Sequence, residues 1–280
     1  MVNSIIMEAY EQNLREIVRS TRSLVVTFSG GVDSGLLARI AVEELGARAL
    51  ALTAVGASLP ERELDDCRRV AEELGIRHLV INSGEMENPD YRANPTNRCF
   101  FCKTELYGMA SRVAGEQGFA HVAAGINCDD LGDFRPGIDA ARENGVRMPF
   151  VEAKMGKGEI RSLADRLGLS IAQKPAAACL ASRLPYGLSV TDERLRRIEH
   201  CENFLKDLGF AQCRVRHHAE LARIEVPADR LGELLALRAP ITEAFREAGF
   251  TYVTVDLLGF RSGSMNEALS QSPPIKAVLS

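Results

Sequence analysis

Short apolar runs alternate with amphipathic stretches over the first two thirds of the chain. The runs that predict strands are 23–28, 49–53, 78–81, 120–125 and a short one near 147–149. Apolar positions at helical spacing predict helices over 1–19, from Gly35 to Gly46, and over about 60–74, 103–117 and 157–167. Regular alternation of this kind requires a parallel sheet with helices on both faces. We therefore expect a Rossmann-like α/β domain over residues 1–185.

The pattern changes after that domain. An amphipathic helix from Thr191 is followed by two short strands of alternating polarity, 212–216 and 221–226, and later by a strand at 252–256. This order of elements predicts a small α+β domain over residues 186–280.

Two polar segments follow predicted strands of the first domain. Residues 82–98 form a loop that is longer than compact domains usually tolerate without a function, and such loops often cover a site. Residues 126–137 follow the strand 120–125, where the carboxyl ends of parallel strands open and α/β sheets bind ligands. The polar side chains of this second run include Asn127, Asp129, Asp130 and Arg135.

Composition narrows the class of protein. With 280 residues, 46% of them hydrophobic and 26% charged, the chain can bury one large core or two smaller ones. The net charge of −4 argues against a general electrostatic grip on nucleic acid and favours a charged small molecule as the partner. Residues 1–16 mix apolar and charged side chains, as neither a signal peptide nor a membrane span does. We expect a cytoplasmic protein with no membrane partner.

The strongest motif is the loop Ser29-Gly30-Gly31-Val32-Asp33-Ser34 between the first strand and the next helix. Adjacent glycines allow positive φ and a close approach to a ligand, so several N–H groups can converge on an anion at the positive end of the helix. Ser29 and Ser34 add hydroxyl donors. Asp33 would repel phosphate unless a divalent cation lay between them, so we assign Mg²⁺ to Asp33.

This loop is neither the lysine-bearing phosphate loop nor the dinucleotide-binding glycine motif. It resembles the PP-loop, S-G-G-x-D-S, of the ATP pyrophosphatase superfamily. Members of that superfamily hold the β,γ-pyrophosphate of ATP and release it while they adenylate an oxygen atom of a substrate. The resemblance implies that residues 29–34 bind ATP.

Seven cysteines, an odd number in a chain without an export signal, favour packed thiols, metal ligation or chemistry over a disulfide framework. Cys99 and Cys102 form a C-x-x-C pair, a spacing found in zinc, redox and iron–sulfur sites. A structural zinc would need two more ligands, and the chain has no second C-x-x-C and no C-x-x-H. Cys179 lies between Lys174 and Arg183, whose positive charge favours the reactive thiolate. The cysteines predicted to be buried on apolar faces are Cys67, Cys201 and Cys213.

The combined motifs resemble those of the ATP-dependent sulfur transferases of the LarE family. They are S-G-G-V-D-S, N-R-C-F-F-C-K, G-I-N-C-D-D-L-G-D-F-R-P-G, A-C-L-A-S-R-L-P-Y-G and the strand R-V-R, and they extend over most of the chain. The resemblance implies that the enzyme adenylates the carboxylates of pyridinium-3,5-biscarboxylic acid mononucleotide and replaces AMP with sulfur. The thiocarboxylates then serve the nickel-pincer cofactor of lactate racemase and related enzymes. Because the family forms rings of subunits, a homo-oligomer is also implied.

The resemblance leaves two sources of sulfur open. Some members sacrifice the sulfur of the single cysteine in A-C-L-A-S-R and keep dehydroalanine. Others have the additional C-x-x-C and resemble tRNA thiolases in which three cysteines hold a [4Fe–4S] cluster whose fourth iron carries an exchangeable sulfide. Since this chain has all three positions, the resemblance favours a cluster held by Cys99, Cys102 and Cys179 and supplied by a sulfide donor. Sacrifice of Cys179 is the alternative, and both make Cys179 essential.

Expected roles can be given to several further residues. Lys174 matches a lysine that contacts phosphate in several PP-loop enzymes, and the alternative is a solvated surface lysine. Asn127 and Asp130, with Asp129, are candidates for holding Mg²⁺ or the substrate, and the alternative is a solvated turn. Arg183 is a candidate for the substrate pocket.

Arg214 and Arg216 fall on the same face of one predicted strand, so they could hold a phosphate together. The resemblance favours the phosphate of the mononucleotide as their ligand. The alternative is a solvated hairpin face balanced by Glu220 and Glu225. The next two residues, His217 and His218, are predicted to be exposed in the turn.

Three other functions remain possible from sequence. A tRNA thiolase would share the loop and the cysteines, but the acidic chain has no basic RNA-binding module. An ammonia-using ligase such as NAD synthetase also adenylates a carboxylate and needs no cysteine. An ATP-binding regulatory module would not need the metal-binding aspartate of the loop.

Overall fold

The structure is a computed structural model that describes residues 2–132, 136–175, 177–261 and 263–266. The chain forms two compact units, Met1–Ala178 and Cys179–Ser280. The sequence pattern had placed the change of domain at residue 185. None of the helices formed by the described residues has the length and apolar character needed to cross a membrane.

The first unit alternates helices with parallel strands. Its elements are α1 Val2–Ser20, β1 Leu24–Thr27, α2 Val32–Leu45, β2 Ala49–Val55, α3 Glu61–Leu74, β3 Arg77–Asn82, α4 Pro89–Arg92, α5 Arg98–Gln117, β4 His121–Ala124, α6 Pro136–Glu143, α7 Pro149–Glu152 and α8 Lys157–Arg166. The expected α/β class is confirmed.

The four strands form one parallel sheet in the order β3-β2-β1-β4. The chain runs from β1 outward through β2 and β3, and β4 then pairs with the other edge of β1. This change of direction creates a switch point at the carboxyl ends of β1 and β4, where open α/β sheets bind ligands. The segments that follow these two strands are residues 28–34 and 125–132.

Apolar side chains fill both faces of this sheet. One core includes Leu24 and Val26 of β1 with side chains from α1, α2 and α8. The other includes Val25 of β1 with side chains from α5 and α6. Because successive residues of a strand point to opposite faces, a fully buried strand must be apolar at every position. The sequence Leu24–Thr27 meets this requirement almost completely.

The second unit packs helices against a three-stranded sheet. Its elements are α9 Asp192–Asp207, β5 Arg214–His218, β6 Leu221–Glu225, α10 Leu231–Ala236, α11 Arg238–Glu247 and β7 Tyr252–Val255. β5 and β6 form the predicted antiparallel hairpin, and β7 is parallel to β6. Cys201 and Cys213 are buried in its core as predicted, and burial raises the pKa of each thiol to about 12.

Several element boundaries differ from expectation. α2 begins at Val32 rather than near Gly35, so half of the glycine loop belongs to a helix. α5 begins at Arg98, within the stretch that was expected to be a loop, because Phe100 packs against the core beneath the sheet. The expected strand at 147–149 is wrong: only Arg147 forms an isolated parallel bridge, and α7 follows from Pro149.

The prediction that His217 and His218 are exposed turn residues is also wrong. Both belong to β5, and His217 is only 2% exposed. The His217 ring packs edge-on against Phe250, at 5.0 Å between ring centroids. Neither ring nitrogen of His217 has a hydrogen-bond partner within the described residues. Burial and then the charge of Arg197 lower the pKa of His217 to about 4.

Acid is expected to destabilise the protein through His217. Its pKa is lower in the folded chain than the ordinary value of 6.5, so the unfolded chain binds more protons between these values. The stability that neutral His217 contributes is complete above about pH 6.5 and is lost as the pH falls toward 4. We expect this loss to reduce the free energy of unfolding by about 2 kcal/mol between pH 7 and pH 5. Urea unfolding followed by circular dichroism measures this value.

The variant His217→Phe should lose this part of the pH dependence, because phenylalanine fills the same apolar space without a titrating group. His200 is exposed, so His200→Asn provides the matched control. Equal pH dependence in wild type and His217→Phe would show that His217 is not the group responsible.

Candidate functional site

The glycine loop forms an anion cradle at the start of α2. Gly31 is the N-cap of α2 and, as a glycine, has no side chain to cap the helix. The first N–H groups of a helix have no intrahelical partner, so they are available to an anion. Gly30 has φ 64°, in the left-handed region, and a Cβ at this position would lie 3.1 Å from the Sγ of Cys67. The cradle therefore requires glycine for both conformation and space.

Two hydroxyl groups bridge the ends of the cradle. The Oγ atoms of Ser29 and Ser34 are 3.1 Å apart, and the backbone N–H of Ser29 donates to Ser34 Oγ at 3.2 Å. Ser34 Oγ also donates to the carbonyl of Gly31 at 3.3 Å. Cys67 packs beneath this loop, and burial raises its pKa to about 11, which makes it a packed thiol as predicted.

Asp33 lies in the first turn of α2 and contacts two other segments. Its Oδ1 accepts a hydrogen bond from Asn127 Nδ2 at 3.4 Å, and its Oδ2 forms an ion pair with Lys157 Nζ. Asn127 follows β4, and Lys157 is the first residue of α8. Three segments that are distant in sequence therefore meet at the expected metal-binding carboxylate.

The polar run after β4 is organised by its own acidic side chains. Asp130 Oδ2 accepts from the N–H of Asn127 at 3.0 Å, and Asn127 Oδ1 accepts from the N–H of Asp129 at 3.0 Å. Asp129 Oδ2 accepts from the N–H of Lys157 at 2.7 Å. A Cβ at Gly156 would lie 2.9 Å from Asp129 Oδ1, so glycine permits this approach. Arg135, from the same run, lies outside the described residues.

Lys174 is engaged elsewhere in the first unit. Its Nζ lies 3.0 Å from Glu63 Oε2 and 2.7 Å from Asp66 Oδ2, both on α3. Burial would lower the pKa of Lys174, but the hydrogen bonds to these two carboxylates raise it overall. The expected phosphate contact of Lys174 stays a prediction.

The C-x-x-C pair lies at the start of α5, and its spacing places both sulfur atoms on one side of the helix. Cys99 is exposed and Cys102 is partly buried. Cys102 Sγ donates to Glu85 Oε2 at 3.3 Å. Glu85, which is 4% exposed, also accepts from Ser58 Oγ. A buried carboxylate therefore fixes one of the two thiols.

A cavity of about 410 Å³ adjoins this pair. The residues between the two cysteines, Phe100 and Phe101, line it together with Glu87 and Glu105. The loop that precedes α5 thus forms part of a recess.

Neither unit gathers three His, Cys, Asp or Glu side chains closely enough to hold a metal ion, as far as its residues are described. The donor chemistry still fits both expected groups. Carboxylate and amide oxygens at Asp33 and Asn127 suit Mg²⁺, which usually takes one or two protein carboxylates together with phosphate oxygens. Three cysteine thiolates suit an iron–sulfur cluster.

In the second unit, Cys179 begins a 3₁₀ turn and its backbone is held firmly. Its carbonyl oxygen accepts from the N–H of Ser182 at 3.0 Å, from Ser182 Oγ at 2.7 Å and from Arg183 Nη1 at 2.9 Å. The side chain of Cys179 is partly exposed. The arrangement fixes the position of the thiol and leaves it accessible.

Arg183 is held by a buried ion pair. Its Nε and Nη2 donate to the two oxygens of Glu202 at 2.9 and 3.0 Å, and both side chains are at most 3% exposed. Glu202 also accepts from the N–H of Val215 at 3.0 Å. Burial alone would raise the pKa of Glu202, but the charge and hydrogen bonds of Arg183 lower it overall.

Replacing Glu202 with glutamine should therefore destabilise the protein by roughly 3 kcal/mol, because it leaves the buried guanidinium of Arg183 without a counter-charge. The midpoint of urea unfolding measures the loss. Glu193 is 77% exposed where it pairs with Arg197, so Glu193→Gln should change stability by less than about 0.5 kcal/mol. Equal effects of the two substitutions would contradict this account.

The two strand arginines differ in their surroundings. Arg216 is 5% exposed and bonds to Glu225 Oε2 at 2.7 Å, to the carbonyl of Ser182 at 3.1 Å and to Ser264 Oγ at 3.0 Å. Arg214 lies 5.2 Å over the ring of Phe260, and no carboxylate of the described residues pairs with it. Burial and then the charge of Arg183 lower the pKa of Arg214.

Sequence analysis missed two residues of these sites. Lys157 was assigned only to a helix, although a glycine-lysine pair at a helix start beside the switch point could have indicated it. Glu85 fell within the expected loop, and its burial has no local sequence signal.

Known proteins resemble this chain at three levels. The family model for NAD synthase matches residues 6–91, which include the cradle. A tRNA-specific 2-thiouridylase of Geobacter metallireducens is 28% identical over 219 residues, which cover 63% of this chain and 60% of that protein. An uncharacterized protein of Synechocystis sp. is 42% identical over 267 residues, which cover 95% of this chain and 100% of that protein.

The pyridinium-3,5-bisthiocarboxylic acid mononucleotide synthase of Lactiplantibacillus plantarum is 34% identical over 256 residues, which cover 91% of this chain and 93% of that protein. Identity at this level extends along nearly the whole of both chains. The chain is therefore an ATP-dependent enzyme and belongs to the LarE family of pyridinium-3,5-bisthiocarboxylic acid mononucleotide synthases.

Proposed function

We propose that the enzyme is a sulfur transferase that adenylates the carboxylates of pyridinium-3,5-biscarboxylic acid mononucleotide, releases pyrophosphate and converts them to thiocarboxylates for nickel-pincer cofactor synthesis. The observation that carries the proposal is the cradle at the start of α2 with Asp33 in its first turn, in a chain 34% identical to a synthase of the bisthiocarboxylic acid.

The chemistry requires activation before sulfur transfer. A carboxylate is a poor acyl donor because its leaving oxygen is too basic, whereas AMP leaves readily from an acyl-adenylate. The carboxylate oxygen attacks the α-phosphorus of ATP and the bond to pyrophosphate breaks. The N–H groups of the cradle would bind the departing pyrophosphate, and Asp33 would hold Mg²⁺, which would supply positive charge for the developing negative charge. Sulfur then forms a bond to the acyl carbon, and the bond to AMP breaks.

We further propose that Cys99, Cys102 and Cys179 are thiolate ligands of a [4Fe–4S] cluster. When bound, the cluster supplies an exchangeable sulfide at an iron that no cysteine ligates. The thiols of all three residues are exposed or partly exposed, as a ligand set requires, whereas Cys67, Cys201 and Cys213 are buried. Cys128 is also partly exposed, but it belongs to neither the C-x-x-C pair nor the A-C-L-A-S-R motif. The alternative is that Cys179 gives up its own sulfur and becomes dehydroalanine.

Iron and labile-sulfide analysis after anaerobic purification separates these two sources. We expect iron in the wild type and a loss of most of it in Cys99→Ser, Cys102→Ser and Cys179→Ser. Cys201→Ala is the control and should retain iron, because Cys201 lies in the core of the second unit. Full iron in all four variants would exclude these ligands, and loss of H₂S from Cys179 during turnover would support sacrifice.

We propose that Arg214 binds the phosphate of the mononucleotide and that Arg216 holds strand β5 in place. Arg214 supports this role because it is a partly buried cation, near the charges of Arg183 and Glu202, that forms no ion pair with a carboxylate of the described residues. Arg216 already bonds to Glu225. The guanidinium of Arg214 is therefore suited to bidentate binding of phosphate.

We also propose a homo-oligomer supplied by a separate sulfide donor. The exposed apolar residues Leu257 and Leu258, which are 84% and 69% exposed, support an interface on the second unit. Sedimentation velocity of wild type and of a Leu257→Ser, Leu258→Ser double variant would test it.

The activity is tested with anaerobic protein, ATP, Mg²⁺, sulfide and the biscarboxylic acid mononucleotide. We expect pyrophosphate and AMP, together with a product in which mass spectrometry finds sulfur in place of oxygen. Two further reactions, one with deamido-NAD and ammonia and one with unmodified tRNA, test the NAD synthetase and tRNA thiolase alternatives. Product in either of these, and none with the mononucleotide, would overturn the proposal.

A further inference from the structure

A chain of hydrogen bonds runs beneath the anion cradle. Thr53, on β2, is 3% exposed, and its Oγ1 donates to the carbonyl oxygen of Phe28 at 2.8 Å. Phe28 is the residue that precedes the first serine of the cradle. On the edge strand β3, Nε2 of His78 lies 2.8 Å from the same hydroxyl oxygen. One threonine side chain therefore connects the cradle to the edge of the sheet.

The number of available protons fixes the direction of this chain. A threonine hydroxyl has one proton to donate and a carbonyl oxygen can only accept, so the proton of Thr53 lies on the bond to Phe28. The bond between Thr53 and His78 then requires a proton from the imidazole. Nε2 of His78 therefore carries a hydrogen, and the neutral ring has its lone pair at Nδ1. Burial and then the charge of Arg68 lower the pKa of His78, which favours the neutral ring.

The chain continues into the cradle through one peptide group. The carbonyl of Phe28 and the N–H of Ser29 belong to the same planar unit, so a bond that fixes the first also fixes the direction of the second. The N–H of Ser29 donates to Ser34 Oγ at 3.2 Å, and Ser34 Oγ donates to the carbonyl of Gly31 at 3.3 Å. Hydrogen bonds and one peptide group thus join the imidazole on β3 to the hydroxyl that bridges the cradle.

The side chain of Phe28 is held by the same imidazole. The His78 ring packs edge-on against the Phe28 ring, at 5.6 Å between ring centroids, and Phe28 is 4% exposed. His78 therefore contacts the residue before the cradle directly through the ring, and reaches its backbone through Thr53.

We propose that Thr53 and His78 are positioning residues of the ATP site. Thr53 holds the peptide group that enters the cradle, and His78 acts through the hydroxyl of Thr53. Because N–H groups that are already oriented need less ordering when phosphate binds, this support increases the affinity for ATP. The proposal rests on the proposed function only in taking the cradle as the ATP site.

Isothermal titration with ATP in the presence of Mg²⁺ tests the role of Thr53. Valine has nearly the shape of threonine but no hydroxyl, so we expect Thr53→Val to lower ATP affinity by about fivefold or more. Thr53→Ser keeps the hydroxyl and should bind ATP within about twofold of the wild type.

The matched control is Thr254→Val, in the second unit. The hydroxyl of Thr254 also donates to a carbonyl of the neighbouring strand, that of Ala222 at 3.0 Å. Its loss should leave ATP affinity unchanged. Wild-type affinity in Thr53→Val, or an equal loss in Thr254→Val, would overturn the proposal.

A double-mutant cycle tests whether His78 acts through Thr53. His78→Phe keeps an aromatic ring beside Phe28 but cannot donate, and we expect it to lower ATP affinity by about threefold. In the Thr53→Val background the same substitution should have no further effect, because the acceptor of its hydrogen bond is gone. No loss in either background, or equal losses in both, would contradict the proposed route.

A measurement on the wild type avoids any folding defect. Nitrogen-15 NMR distinguishes the two nitrogens of a neutral histidine ring, and the signals lost in His78→Phe identify those of His78. We expect the proton at Nε2, and a neutral ring protonated only at Nδ1 would exclude the hydrogen-bond chain. A wild type that binds ATP but makes no thiocarboxylate would contradict the proposed function and leave the roles of Thr53 and His78 standing; one that binds no ATP overturns both.

Discussion

Replacing Cys179 with serine is expected to lower thiocarboxylate formation by at least about a hundredfold, while the rate of pyrophosphate release in the first turnover stays within roughly threefold of wild type. A serine hydroxyl can neither ligate iron as a thiolate does nor donate sulfur. The local fold should persist, because the hydrogen bonds at this position involve the carbonyl oxygen of residue 179 rather than its side chain. Pyrophosphate and product are measured in the same reaction mixture.

The matched control is Cys128→Ser, since Cys128 is also partly exposed but lies outside the proposed ligand set. Burial and then the charge of Asp129 raise the pKa of the Cys128 thiol, so it is poorly suited to act as a thiolate. We expect normal product from this variant. Thiocarboxylate formed at the wild-type rate by Cys179→Ser would exclude both proposed sulfur sources.

This experiment also separates the enzyme from its NAD synthase relatives. A ligase that uses ammonia needs no thiol, so Cys179→Ser would leave such an activity intact. The family model for NAD synthase matches only residues 6–91, the part with the cradle. This extent of similarity is consistent with two kinds of enzyme that activate a nucleotide in the same way but carry out different chemistry on the second substrate.

The sheet could be predicted from sequence because its strands are short apolar runs that are buried on both faces. Helix starts were harder, because they depend on tertiary contacts. α5 begins at Arg98 because packing of Phe100 extends it into a polar segment. α6, from Pro136, was not predicted at all, since a proline followed by glycine reads as a loop although proline is well suited to the first turn of a helix.

In the site, too, local features could be predicted from sequence and contacts between distant residues could not. The cradle is a local motif, so its conformation at Gly30 follows from six residues. The pair formed by Asp33 and Lys157 joins residues 124 positions apart, and no periodicity reports such a contact. For the strand arginines the sequence offered a solvated hairpin face balanced by Glu220 and Glu225 as the alternative to a phosphate site, but the pair of Arg216 with Glu225 is buried.

Asp33→Asn is expected to lower the rate of pyrophosphate release at saturating ATP by at least about a hundredfold, which corresponds to the several kcal/mol that a positioned metal ion gives to a phosphoryl-type transition state. Asparagine is nearly the same size and can still accept from Asn127, so the start of α2 should keep its geometry. The substitution removes the negative charge that would hold Mg²⁺ in the cradle. A colorimetric pyrophosphate assay over a range of Mg²⁺ concentrations measures the effect.

Raising the Mg²⁺ concentration should recover part of the lost rate, because the phosphate oxygens of ATP remain as ligands. Asp139→Asn is the control, since Asp139 pairs with Arg142 at the surface and its loss should leave the rate unchanged. Pyrophosphate release from Asp33→Asn at the wild-type rate would mean that the metal, and with it the activated phosphate, is held by other residues. Such a result would move the proposed site of adenylation away from the carboxylate in the first turn of α2.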